Sequence, residues 1–122
     1  MVLKGDFYKV KEKSAAENKV SAVIELNIAH EIYKGHFPQQ PIVPGVLQIQ
    51  ILKELLEEQV GKKLQMTNGD NIKFTGMIIP EQSPVINIEL NYQDKENELA
   101  VDARMFCGET VFTKYKGKFK AV

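Results

Sequence analysis

Three of the chain's five prolines fall between His36 and Pro44, and this proline segment limits the possible folds most strongly. Proline fixes φ and has no backbone N–H, so residues 36–44 cannot form a helix interior or a central strand. The residue before each proline is also pushed toward extended geometry. The sequence therefore predicts a stiff, extended loop that holds an imidazole just before a helix begins. A titratable ring beside the N–H groups of a helix start indicates a binding or catalytic site.

A helix is predicted directly after this loop, from Gly45 to Val60. The segment has no Gly or Pro in its interior, and Gly61 supplies a stop signal. Its first half is apolar almost all the way round, which indicates a buried helix rather than a surface helix. Gln48 and Gln50 are the polar exceptions in that half.

Alternating apolar and polar residues predict strands on both sides of the helix. Lys19–Ile28 alternates over its whole length, and a first strand around Leu3–Lys11 pairs with it across the polar turn Ser14–Asn18. After a turn at residues 68–69, four more strands are predicted: Asn71–Ile79, Val85–Gln93, Leu99–Cys107 and Thr110–Lys120. Their short connections indicate an antiparallel meander. One buried helix followed by such a sheet predicts an α+β fold with the sheet curled around the helix.

Composition narrows the class of protein. The chain has 122 residues, enough for one domain with its own hydrophobic core, and residues 1–122 are predicted to form a single domain. Its 16 basic and 16 acidic side chains cancel, so neither nucleic acid nor an anionic membrane is expected as a partner. No signal peptide or membrane-spanning segment is recognisable. A single cysteine, Cys107, leaves no internal disulfide, and we expect it to be a small apolar strand residue in a soluble, cytoplasmic protein.

Two segments resemble the signature of the FabA/FabZ-type 3-hydroxyacyl-acyl-carrier-protein dehydratases. The specific one is GHFPQQPIVPGVL, residues 35–47, with its three prolines at fixed spacing. The weaker one is NIKF, residues 71–74, followed by IIP at residues 78–80. The resemblance implies the hotdog fold, in which an antiparallel sheet wraps around one long central helix. The α+β order predicted from periodicity is compatible with that fold.

The resemblance also implies a reaction. Such enzymes take a proton from the carbon beside a thioester carbonyl and expel a hydroxyl from the next carbon. By resemblance, His36 is the base, and the amides of Gly45 and Val46 stabilise charge on the thioester oxygen. Phe37 and Tyr33 flank the loop and are either substrate-binding or packing residues. The implied substrate is an acyl carrier protein or CoA thioester, and no metal or dissociable cofactor is needed.

One position departs from the family pattern. The family's acid is a helix carboxylate six residues after the proline of the Pro-Gly-Val-Leu segment, and this chain has Gln50 there. An amide keeps the shape of the acid but cannot release a proton, and positioned acid–base groups typically contribute about 10²–10⁴-fold.

Three hypotheses stay open for this departure. Glu54 is a substitute acid roughly 6 Å further along the helix, or a partner hotdog subunit supplies the acid. In the third hypothesis, the pocket binds acyl thioesters without turnover or hydrolyses them. We therefore predict a dehydratase-like protein of fatty-acid or polyketide-type synthesis, assembled as a homodimer or as a heterodimer with another hotdog subunit. An accessory thioester-binding subunit or a thioesterase is the alternative.

The remaining polar residues have simpler interpretations. His30 matches no motif and is expected to be a solvated loop histidine. Glu54, Glu57 and Glu58 are expected to form the solvated end of the helix. Alternating lysines on the last strand, from Lys114 to Lys120, favour a solvated sheet face that protects an edge from aggregation. Docking of an acidic carrier protein on these lysines is the functional alternative.

Overall fold

The structure is a computed structural model that describes residues 2–35 and 40–122. Its elements, in chain order, are β1 (Tyr8–Ala16), β2 (Lys19–Leu26), α1 (Ile32–Gly35), α2 (Gly45–Val60), β3 (Leu64–Phe74), β4 (Val85–Lys95), β5 (Glu98–Cys107) and β6 (Thr110–Ala121). Within these described ranges, six strands form one antiparallel sheet in the order β1-β2-β4-β5-β6-β3. The predicted α+β class, an antiparallel sheet with one long helix, is confirmed.

The long helix α2 has the predicted bounds and lies in the hydrophobic core. Its C-terminal stop is Gly61, whose φ of 70° is in the left-handed region that glycine adopts without strain. The buried residues of α2 join one cluster with the inward side chains of the sheet. From the helix these are Leu47, Ile51, Leu52, Leu55 and Leu56, and from β2 and β4 they include Val20, Ile24, Ile86, Ile88 and Leu90. The helix face and the inward face of the sheet therefore share one hydrophobic core.

The order of the strands differs from a simple meander. β4, β5 and β6 follow one another as predicted, but β3 lies at the far edge of the sheet, beside β6. The sheet edges are therefore β1 and β3, and β6 has a neighbour on each side. The prediction that the lysines of β6 protect an edge is wrong for this reason. Their alternation is as predicted, with Lys114, Lys116 and Lys120 exposed.

β1 and β3 differ from their predicted bounds by five residues or more at each end, whereas the other four strands differ by at most two residues. The first strand begins at Tyr8 and continues to Ala16, because its second half is a polar edge strand that pairs with β2 outside the core. The tight turn comes later, at Asn18, which has a φ of 63°. β3 spans Leu64–Phe74 and includes Asn68 and Gly69, which were predicted to form a turn. There the register against β6 shifts, so the Asn-Gly pair is an irregularity within the strand.

Three single residues also differ from expectation. Ile28 follows the end of β2 and is 54% exposed, so it does not share the buried face of that strand. Cys107 ends β5 as a strand residue but is exposed. His30 is not a solvated loop histidine, because its ring packs edge-on against Phe7 and bonds Asp6 through Nε2 at 3.0 Å. In the part of the chain that the structure describes, no helix is long and apolar enough to cross a membrane.

Candidate functional site

The start of α2 presents backbone N–H groups at the end of the proline segment. Pro44 is the N-cap, with φ −63° and ψ 145°, and its carbonyl accepts hydrogen bonds from Leu47 and Gln48 at 3.0 and 3.1 Å. The amides of Gly45 and Val46 belong to the first turn, where a helix has no acceptor of its own. These two amides can therefore stabilise negative charge on a bound group, the role that the resemblance implies for them.

Two elements hold the residues just before this helix start. The N–H of Val43 donates to the carbonyl of Ile78 at 2.9 Å, and the Val43 carbonyl accepts from Nε2 of Gln48 at 3.2 Å. The Oε1 of Gln48 in turn accepts a hydrogen bond from the hydroxyl of Thr113 on β6. Gln48 and Thr113 are both buried, so Val43, directly before the helix start, is held by a buried polar network.

An aromatic ring covers the first turn of the helix. A Cβ atom added at Gly45 would lie 2.6 Å from Cζ of Phe74, much closer than carbon atoms pack. Glycine at position 45 is therefore required for the Phe74 ring to take this place. Val46, Phe74 and Met77 are exposed by 72%, 51% and 61%. Val46 lies in the first turn, the Phe74 ring lies against Gly45, and Met77 precedes Ile78, which bonds Val43.

Gln50 and Glu54 lie one turn apart and are bonded to each other. Nε2 of Gln50 donates to Oε2 of Glu54 at 2.9 Å. The same carboxylate accepts hydrogen bonds from the amides of Leu3 and Lys4 and from the hydroxyl of Tyr8. Glu54 is thus part of a structural contact with the N-terminal segment.

The other two glutamates of the helix also bind specific groups. Glu57 accepts a hydrogen bond from the amide of Leu64 at 2.9 Å. Glu58 forms ion pairs with Lys4 and Lys13 at 2.6 and 3.2 Å. The hydrogen bond from Lys4 is the main cause that lowers the pKa of Glu58 below its usual range. The interpretation of this end of the helix as merely solvated is therefore wrong.

Tyr33 on α1 is buried, with its ring centroid 5.8 Å from that of Phe7. Its hydroxyl has no hydrogen-bond partner among residues 2–35 and 40–122, and burial raises its pKa to about 12. His36 and Phe37, the predicted base and its neighbour, lie outside the described residues. The structure thus brings Gly45, Val46 and Gln50 together on the first two turns of α2.

Several residues of this region were not predicted from the sequence. Phe74 appeared only as part of a weak motif, and Tyr8 had no signal at all. Gln48 did have one, because a polar side chain in an apolar helix half requires a buried partner. Within the described parts of the chain, no group of three or more His, Cys, Asp or Glu side chains is placed to hold a metal ion.

The antiparallel sheet and the long helix define a hotdog-fold protein. The family model described as ApeI dehydratase matches residues 11–113, and the chain belongs to this ApeI-like dehydratase family. The resemblance found in the sequence is therefore confirmed at the level of the dehydratase family.

Curated relatives are dehydratases of the same kind. The chain is 33% identical over 79 residues to the 3-hydroxyacyl-[acyl-carrier-protein] dehydratase FabZ of Lactococcus lactis subsp. cremoris strain MG1363. The aligned region covers 59% of this chain and 55% of that protein. FabZ of Streptococcus equi subsp. zooepidemicus strain MGCS10565 is 30% identical over 73 residues, covering 54% of this chain and 52% of that protein. The chain thus spans about half the length of the curated relatives it matches.

Solved structures share the fold at low sequence identity. The dehydratase heterocomplex ApeI:P from Xenorhabdus doucetiae has a TM-score of 0.73 at 18% identity, covering 91% of this chain and 96% of that chain. The BH2602 protein from Bacillus halodurans, solved with CoA, has a TM-score of 0.58 at 10% identity, covering 91% and 73%. A putative thioesterase from Shewanella oneidensis also has a TM-score of 0.58 at 10% identity, covering 94% and 83%. These similarities concern the fold.

Proposed function

We propose that this chain is one subunit of a 3-hydroxyacyl-thioester dehydratase whose catalytic acid comes from a partner hotdog subunit. The observation that carries the proposal is the bond from Gln50 to Glu54. Gln50 is a neutral residue at the position where the resemblance to the family places its acid. Glu54 is a poor substitute acid because both of its oxygens already accept hydrogen bonds from the protein. Of the three hypotheses for the missing acid, supply by a partner is the one these contacts favour.

In the proposed reaction, each group of this chain has one task. His36 takes the proton from the carbon beside the thioester carbonyl, and the amides of Gly45 and Val46 stabilise the charge that develops on the carbonyl oxygen. The partner's carboxyl group protonates the departing hydroxyl. Phe37 contacts the acyl chain, which lies between the two subunits, while Tyr33 packs in the core, as the packing alternative expects. The thioester is carried by an acyl carrier protein or CoA, as in fatty-acid or polyketide-type synthesis.

The surface around the helix start supports a second subunit. The exposed apolar side chains of Val46, Phe74 and Met77 lie on segments that meet at the helix start, and they are named here the helix-start patch. Strand β3, which carries Phe74, is an edge of the sheet and offers its outer backbone groups for pairing. The similar ApeI:P structure is a dehydratase heterocomplex. A homodimer or a heterodimer on this surface would cover the patch and place a second central helix nearby. Only a heterodimer would bring the missing acid, because a second copy of this chain also carries Gln50.

In this proposal, residues 1–122 form one hotdog domain, and the protein acts in the cytoplasm. Its main alternative is an accessory subunit that binds thioesters without turnover, which the amide of Gln50 also favours. The two differ in whether His36 performs chemistry once an acid is present, and this difference can be measured.

Hydration of a crotonyl thioester, the reverse reaction, separates these functions. We expect the chain alone to be slow and Gln50→Glu to raise its rate by about 10²-fold or more, because the acid is then supplied in place. A second hotdog subunit with the helix carboxylate should raise the rate of the unmodified chain in the same way. His36→Ala should abolish both gains.

Two results would contradict the proposal. If the unmodified chain already hydrates the thioester as fast as Gln50→Glu does, it needs no acid from a partner. If neither Gln50→Glu nor an added partner produces activity while the thioester still binds, the chain is an accessory subunit.

A further inference from the structure

The carboxylate of Glu54 is the point where the N-terminal segment meets the helix position of the missing acid. Oε2 accepts from the amide of Leu3 at 2.7 Å and from Nε2 of Gln50 at 2.9 Å. Oε1 accepts from the amide of Lys4 at 2.9 Å and from the hydroxyl of Tyr8 at 3.0 Å. Four donors from two parts of the chain thus share one carboxylate.

This arrangement determines which way the amide of Gln50 faces. A carboxylate accepts hydrogen bonds, whereas the two ends of a glutamine amide differ, with NH₂ donating and oxygen accepting. The NH₂ end of Gln50 must therefore face Glu54, and the opposite orientation would bring two acceptors together. The Gln50 amide is held in one of its two orientations by a residue one turn away.

We propose that Glu54 is a positioning residue that fixes the amide of Gln50 and joins residues 3–8 to the acid position of α2. The importance of this contact for catalysis rests on the proposed function. In the unmodified chain, Glu54 keeps the NH₂ end of Gln50 turned along the helix. Loss of Glu54 would remove the hydrogen bond that orients the NH₂ end of Gln50 and, at the same time, the acceptor of Leu3, Lys4 and Tyr8.

The charged and titratable groups around Glu54 come from three elements. Tyr8 lies on β1, and burial first, followed by the charge of Glu54, raises the pKa of its hydroxyl above the usual value, so that it remains a donor. Glu58 lies on the same helix and is paired with Lys4 of the N-terminal segment and with Lys13 of β1. Lys4 and Lys13 thus pair their charges with Glu58, while Glu54 accepts the four hydrogen bonds described above.

The direct test is an NMR comparison of Glu54→Gln with the matched control Glu57→Gln in the full chain. Glu57 lies on the same helix and also accepts from a backbone amide, that of Leu64. We expect Glu54→Gln to shift the side-chain NH₂ signals of Gln50 and to speed hydrogen exchange of the Leu3 and Lys4 amides about tenfold or more. Glu57→Gln should affect only Leu64. Unchanged Gln50 signals in Glu54→Gln would overturn the inference.

A second test uses the carboxyl group introduced by Gln50→Glu. That carboxyl would face Glu54 at hydrogen-bond distance, and two carboxylates so close hold a proton between them. We expect the pKa of the introduced carboxyl, followed by NMR, to fall by about one unit or more when Glu54→Gln is added. Adding Glu57→Gln should leave it unchanged, and an equal fall in both double variants would refute the coupling.

Neither measurement needs turnover. If these effects appear but no dehydratase activity is found, the contact between Glu54 and Gln50 is supported and only its importance for catalysis is refuted. If the dehydratase activity is found, the pH profile of hydration in the same two double variants should follow the measured pKa of the introduced carboxyl.

Discussion

Gln48 is the side chain that connects the loop, the helix and the sheet. It is 3% exposed, while Thr113, its partner on β6, is fully buried. Its amide donates to the carbonyl of Val43 and accepts from the hydroxyl of Thr113. Because each end of the amide has a partner of the right kind, this polar group is accommodated in an apolar core.

Replacing Gln48 by leucine tests this role. In Gln48→Leu the hydroxyl of Thr113 and the carbonyl of Val43 lose their partner inside the core, and each such group costs about 1–3 kcal/mol. We expect the free energy of unfolding in urea to fall by about 2 kcal/mol or more. The double variant Gln48→Leu/Thr113→Val should recover part of the loss, since only the Val43 carbonyl is then left without its partner. A single variant as stable as the unmodified chain would contradict this account.

At the residue scale, the sequence predicts local chemistry but not long-range contacts. The helix start at Gly45 and the polar exception at Gln50 follow from local spacing, whereas the roles of Gly45, Val46 and Gln50 come from the resemblance to the family. The partners of Glu54 do not, because Leu3 and Tyr8 are 51 and 46 positions away in the sequence. The same holds for His30, whose partner Asp6 lies on another segment and carries no periodic signal.

At the scale of elements, α2 was predicted to its exact bounds while β3 was not. The helix has a strong apolar pattern with a proline before it and a glycine after it. Most residues of β3 are exposed, so the strand lacks the alternation that marks a half-buried strand. Asn68 and Gly69 look like a turn, yet pairing with β6 keeps them in the sheet. Its place beside β6 depends on the whole sheet, which local patterns do not encode.

Three neighbouring strands place cations side by side. Lys114 on β6 lies opposite Lys73 on β3 and opposite Arg104 on β5, and all three are exposed. Arg104 binds Glu89 on β4, and its guanidinium lies 4.2 Å from the ring centroid of Phe106. Like charges directly opposite each other destabilise a sheet. Lys114, in the middle of the row, therefore opposes a cation on both sides.

Removing the central charge should stabilise the sheet. For Lys114→Gln we expect the free energy of unfolding to rise by about 0.5 kcal/mol at low salt. The gain should shrink in about 1 M salt, where the screening length is near 3 Å. Lys120→Gln is the matched control, because Lys120 lies opposite the neutral Gln65. Equal effects of the two variants, or a gain that salt does not reduce, would show that the cation row carries no repulsion.

At the scale of the whole molecule, the helix-start patch combines exposure with an edge strand. A large apolar side chain gains about 1.5–3 kcal/mol when it is fully buried. Val46, Phe74 and Met77 are more than half exposed around the same helix start, although the helix behind them is buried. Pairing along β3 would use backbone groups, and the patch would supply apolar contact. The hotdog fold was predictable from one motif and the strand count, whereas this uncovered surface needed the coordinates.

A charge placed in the patch should separate the subunits without unfolding them. In a symmetric dimer, Met77→Glu removes apolar contact twice and buries a charge twice, so we expect the dissociation constant to rise at least 10²-fold. Sedimentation equilibrium should show a dimer for the unmodified chain and a monomer for the variant. Ile28→Glu is the control, because Ile28 is also exposed but follows β2, away from the β3 edge. Met77 is largely exposed in the single chain. The unfolding temperature of the monomeric Met77→Glu variant should therefore differ little from that of the unmodified chain. A Met77→Glu variant that remains dimeric at micromolar concentration would place the subunit contact elsewhere on the molecule.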